Sequence, residues 1–113
     1  MNSTARKFAA LILTAGAMIG FAASANAADA WQANHPRRAE VNERLAYQNT
    51  RIDRDVARGE MSYREAGRLH REDRAIRREE RHMAAYNGGY ITRGEQRMLN
   101  AQENSVSRQI NRY

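Results

Sequence analysis

The chain has no cysteine, a single proline and a single lysine. The absence of cysteine excludes disulfides, thiolate zinc sites, c-type haem attachment and a lipid-bearing cysteine behind a leader. Pro36 is the only proline, so nothing beyond it forces a break in a helix. Glycine after Pro36 occurs only at 59, 67, 88, 89 and 94. There is no serine in a nucleophile motif and no glycine-rich phosphate loop after a strand, so no catalytic set is legible and the chain reads as a non-enzyme without cofactors. The one long apolar run lies near the start and falls short of the roughly 20 residues a membrane-spanning helix needs.

That run belongs to an export signal. Arg6 and Lys7 make a basic n-region, Phe8 to Ala23 an apolar h-region, and Ala25-Asn26-Ala27 an A-x-A cleavage site. The expectation is a cleaved signal peptide over 1–27 and a mature chain Ala28–Tyr113 that is periplasmic or secreted. Loss of Arg6 and Lys7 takes the formal net charge from +6 to +4, and every remaining cation is arginine. Arginine suits bidentate binding of carboxylate and phosphate. GC-rich codon usage accounts for the same bias, and the acids are interleaved with the arginines.

The patterning is all-α. Residues 28–34 read as a loose segment carrying Trp31, a peg for a core or a partner. Three helices follow, at about 36–58, 62–86 and 92–112. Pro36 sits at a first helical position, where its missing N–H costs nothing. Gly59 stops the first helix by entering the left-handed region. Ser62 and Glu65 make a capping box for the second helix, and Thr92 and Glu95 one for the third, behind Gly89.

The two boxes belong to a 30-residue internal repeat covering 59–86 and 89–113. Gly59, Met61, Ser62, Glu65 and Leu69 align with Gly89, Ile91, Thr92, Glu95 and Leu99. A shorter pattern occurs three times, as Leu45 with Ile52, Leu69 with Ile76, and Leu99 with Val106. Each pair is two helical turns apart on one face. The expected core is Val41, Leu45, Ile52, Val56, Met61, Ala66, Leu69, Ile76, Met83, Ile91, Leu99, Val106 and Ile110. This is a thin stripe, giving either a slender three-helix bundle or an extended helical hairpin over a single domain, 35–113. Burial on that scale offsets chain entropy narrowly, which favours a homodimer or a stabilising partner.

Metal sites are poorly supported. Gly59, Met61 and Glu65 match positions 6, 8 and 12 of an EF-hand loop, as do Gly89, Ile91 and Glu95. The oxygen ligands due at positions 1, 3 and 5 are replaced by Arg54, Val56 and Arg58, then by Ala84, Tyr86 and Gly88, which rules out calcium. Glu79 and His82 have the i,i+3 spacing of di-metal bundles, with His70 and Asp73 a weaker relative, but the further ligands are missing. Asp73 and Glu103 lie beside the apolar stripe at equivalent repeat positions. They read either as an acid pair between the second and third helices or as members of ordinary ion pairs, Asp73 with Arg77 for instance.

Anion binding is the chemistry best represented. Arg64, Arg68, Arg71, Arg74, Arg78 and Arg81 populate the second helix and are the expected partner-binding residues. Unfolded or acidic proteins and anionic envelope components are the expected partners. Nucleic acid is not, given export and the interleaved acids.

The G-x-[hydrophobic]-[Ser/Thr]-x-x-Glu pattern resembles a family of small exported proteobacterial helical proteins. So do the run Asn87-Gly88-Gly89-Tyr90-Ile91-Thr92 and the tail Gln102 to Ile110. That resemblance implies a periplasmic helical protein and no catalytic residues. Ile91-Thr92-Arg93-Gly94-Glu95-Gln96 is also similar to the L-T-x-x-Q motif of Spy/CpxP-type periplasmic chaperones, with Gln96 one place late. The leading expectation is a periplasmic binding protein of stress or envelope type, chaperone-like. The alternatives are a metal-responsive sensor or buffer and a self-assembling envelope component.

Overall fold

The computed structural model describes residues 27–113. The expected signal peptide therefore lies, up to residue 26, outside the described residues. The chain divides after Asn34 into two units. In the first, residues 27–34 are helical, not loose as expected. The physical reason is composition: four of these eight residues are alanine, the strongest helix former.

The second unit holds three helices, α1 (Pro36–Ala57), α2 (Tyr63–Tyr86) and α3 (Arg93–Ile110), and the described residues contain no strand. Each helix packs against both others, so the unit is a three-helix bundle and not an open hairpin. The polar ties between helices give the directions. Those from α1 to α3 join residues a near-constant distance apart in sequence: 56 for Glu40 with Gln96, 60 for Arg44 with Asn104, 55 for Gln48 with Glu103, 56 for Arg51 with Ser107. Constant separation means parallel helices. From α1 to α2 the separation shrinks along the chain, from 42 for Arg38 with Glu80 to 21 for Asn49 with His70, as antiparallel helices require.

The helix ends follow the local chemistry. Gly59 adopts φ +74°, which lets the chain leave α1 and bring Met61 into the core. At the start of α3, Thr92 Oγ1 accepts from the Glu95 N–H and the Glu95 carboxylate accepts from the Thr92 N–H, a complete capping box. The corresponding box at α2 is half made. Ser62 Oγ accepts from the Glu65 N–H, but the Glu65 carboxylate turns away to Arg68, whose Nη2 lies at 2.7 Å. A charged partner one turn on outcompetes the neutral backbone N–H.

Leu45, Leu69 and Leu99 are fully buried, with Val41, Ile52, Met61, Ala66, Ile76, Ile91, Val106 and Ile110 around them. Val56 and Met83, expected inside, are only partly buried, and Ala84 takes a core place instead. The core also contains charge. Glu80 is 1% exposed and forms an ion pair with Arg38, whose Nη1 also donates to the Gly89 carbonyl at 3.1 Å. This group joins α1, α2 and the turn before α3. Removing one member of a buried pair strands the other. Glu80→Ala should lower unfolding stability by about 3–5 kcal/mol, nearer the lower bound because Arg38 keeps 18% exposure, as read from the urea midpoint.

Candidate functional site

The rotation of α2 decides where its charges go. At about 100° per residue, burying Leu69 and Ile76 carries Asp73 and Glu80 inward with them. The same rotation sends Arg64, Arg71, Arg74, Arg78 and Arg81 outward, within an arc of about 100°. All five are exposed. From Arg64 to Arg81 they span about 25 Å of helix.

No acid shares that face. Glu65, Glu72 and Glu79 follow each other at seven-residue intervals on a separate line along the flank. Arg68 sits between the two lines and is captured by the acids. Its guanidinium bonds Glu65 at 2.7 Å, Glu72 at 2.8 Å and the Gln109 side chain at 2.6 Å. Of the expected partner-binding residues, it is the one that ties α2 to α3. None of the other five makes a hydrogen bond or ion pair among the described residues. Arg71 with Arg74, Arg74 with Arg78, and Arg78 with Arg81 are like charges at i,i+3 or i,i+4, an arrangement that costs helix stability. The stripe thus opposes the fold that carries it.

The inner face of α2 is unusual in the opposite sense. Asp73 is 2% exposed and Glu103, from α3, is fully buried. None of their four carboxylate oxygens has a hydrogen-bond partner. The expected Asp73–Arg77 ion pair is not formed, because the register that buries Leu69 and Ile76 turns Asp73 into the core. Burial pushes the Asp73 carboxyl up to about 6 and the Glu103 carboxyl up to about 8. Arg44 draws Glu103 back, while Glu40, Asp73 and Glu80 push it further up. Beside them, buried Gln48 donates from Nε2 to the Glu103 carbonyl. Sequence reasoning singled out Asp73 and Glu103 but missed Glu80 and Gln48. The available signal was spacing: Glu80 lies four residues after Ile76, and Gln48 three after Leu45.

The candidate metal ligands do not converge. His70 is held across the α1–α2 interface by Asn49 at 2.8 Å and Asp53 at 3.0 Å. His82 is exposed and meets Tyr86 edge to face, Asp73 is in the core, and Glu79 lies on the flank. Among the described residues no three His, Asp or Glu side chains gather to hold a metal ion. No helix of these residues is long and apolar enough to cross a membrane.

A cleft of about 220 Å³ between α1 and α3 is lined by Arg44, Tyr47, Gln48, Arg51, Asn104 and Ser107. Its arginines are engaged across the interface, Arg44 with Asn104 at 3.0 Å and Arg51 with Ser107 at 3.0 Å. Comparison with known proteins finds no matching family model, no matching curated protein and no matching solved structure. Any functional reading therefore rests on the side chains themselves.

A carboxyl buried without hydrogen bonds costs stability even when neutral. Glu103→Met, which keeps the volume and removes the polar atoms, should raise unfolding stability by about 1–3 kcal/mol at neutral pH. The check is a higher urea midpoint at unchanged slope.

Proposed function

We propose that this protein is a non-enzymatic helical binding protein, working outside the cytoplasm, that holds acidic polypeptide segments along the outer face of α2. The observation that carries this reading is the stripe of Arg64, Arg71, Arg74, Arg78 and Arg81, exposed, without acids and internally repulsive. Helix surfaces built for stability interleave acids with bases at i,i+4. Here the acids are withheld from one face, which leaves five guanidinium forks to receive carboxylates from another chain.

An acidic protein segment fits better than a lipid surface. A helix that lies in a membrane interface inserts an apolar face, and that of α2 is spent on the bundle core. The stripe is flanked near its two ends by Tyr63 and Tyr86, 85% and 80% exposed. Tyrosine and arginine are both enriched in protein-binding surfaces. Export, inferred from the leader, makes unfolded or stressed envelope proteins the source of such segments in this reading. The metal-sensor reading gains nothing from the scattered positions of His70, Asp73, Glu79 and His82.

Aggregation of an acidic unfolding protein, followed by light scattering, should be suppressed by this protein, and less so as salt screens the contacts. Changing Arg71, Arg74, Arg78 and Arg81 together to Gln should weaken binding about 30-fold, the sum of four exposed charge contacts of about 0.5 kcal/mol each. Arg68→Gln should leave capture unchanged. Absence of suppression by the unaltered protein, or equal suppression by the four-site variant, contradicts the reading.

A further inference from the structure

Asp73 and Glu103 enter the core from two helices at equivalent positions of the internal repeat. Gln48, the one amide among their buried polar neighbours, is committed through Nε2 to a carbonyl, and its Oε1 is also without a partner. A core of this kind tolerates neutral carboxyls at some cost. It does not tolerate carboxylates, whose desolvation is far more expensive and whose charges repel each other.

The helix pair carrying these two groups is tied by side chains toward its ends. α1 is joined to α2 by the Arg38–Glu80 ion pair and by His70 with Asn49 and Asp53. It is joined to α3 through Gln48, Arg44, Arg51 and the Gln96–Glu40 bond. Between α2 and α3 the side-chain ties among the described residues run through Gln109, to Arg68 and Glu72, with Glu65 and Tyr113 at the same end and Asn87 with Glu95 at the other. A cleft of about 270 Å³ lies in this seam, floored by Ile76 and Val106. Each is three residues after one of the buried acids, so the cleft is one helical turn from both carboxyls.

We infer that the α2–α3 seam is a pH-sensitive gate, closed while Asp73 and Glu103 are protonated and opened to water once both have ionised. The charged groups acting on Glu103 are Arg44 and Glu40 of α1 and Asp73 and Glu80 of α2. Those acting on Asp73 are His70, Glu72 and Arg77 of its own helix, with Glu103 opposite on α3. In acid the closed form holds both protons. In the open, solvated form the two groups return toward their ordinary values of 3.8 and 4.5. Between those values and the raised ones the closed form binds more protons than the open form, so rising pH favours opening. This gate is independent of what binds the arginine stripe.

The cysteine-free chain permits a direct test by spin-label distance measurement on the full chain. One label pair, Ala75→Cys with Ala101→Cys, crosses the seam. A reference pair, Ala46→Cys with Ala101→Cys, joins α1 to α3. Between about pH 5 and about pH 9, a window that brackets both raised carboxyls, the seam distance should lengthen and broaden while the reference distance holds. The Asp73→Asn, Glu103→Gln double variant should keep the closed distance throughout. An unchanged seam distance in the parent, the same change in the double variant, or an equal change in the reference pair would each overturn the proposal.

Discussion

The rotation of α2 about its own axis is the constraint on which the rest depends. Leu69 and Ile76, two turns apart, must both face the core, and the helix has no freedom left once they do. Asp73 and Glu80 fall on the same line and go in with them. The arginines fall opposite and go out. A buried acid layer and an exposed basic stripe are thus two consequences of one register. Any change in that rotation would alter both at once.

The buried charges are treated in two ways. Glu80 is matched by Arg38 from α1, and that guanidinium is fixed further by the Gly89 carbonyl. The arrangement specifies how α1, α2 and the following turn meet. Asp73 and Glu103 receive no such match. Their burial subtracts from stability, as does the repulsion along the outer stripe. Protonation lowers the cost of burying the two carboxyls.

Much of this architecture was legible in the sequence. α1 and α2 begin and end, and α3 begins, where proline, glycine and the Ser/Thr-x-x-Glu patterns place them, because capping and left-handed turns are local effects. The aliphatic pairs seven residues apart led directly to Leu45, Leu69 and Leu99. What depended on three helices meeting was not legible. The Glu65 carboxylate was free to cap or to bind Arg68, and only the nearby Gln109 and Glu72 network shows why it binds Arg68. Val56 and Met83 had apolar character but stand at the bundle's edge. Arg68 looked like its neighbours along the chain, yet 40° of helix turn separates it from the free stripe and brings it to the acids. Glu80 and Gln48 were passed over because a polar residue on an apolar line reads as an interruption until its partners are known.

The central claim is that the registers of α2 and α3 drive Asp73 and Glu103 into a core that offers them no hydrogen bonds. Carboxyl-carbon NMR titration of those two residues in the intact protein tests it most directly. The account predicts midpoints of about 6 for Asp73 and about 8 for Glu103. Midpoints for both near the ordinary carboxylate value of about 4 would mean that the groups are solvated, and would contradict the helix registers on which the core rests.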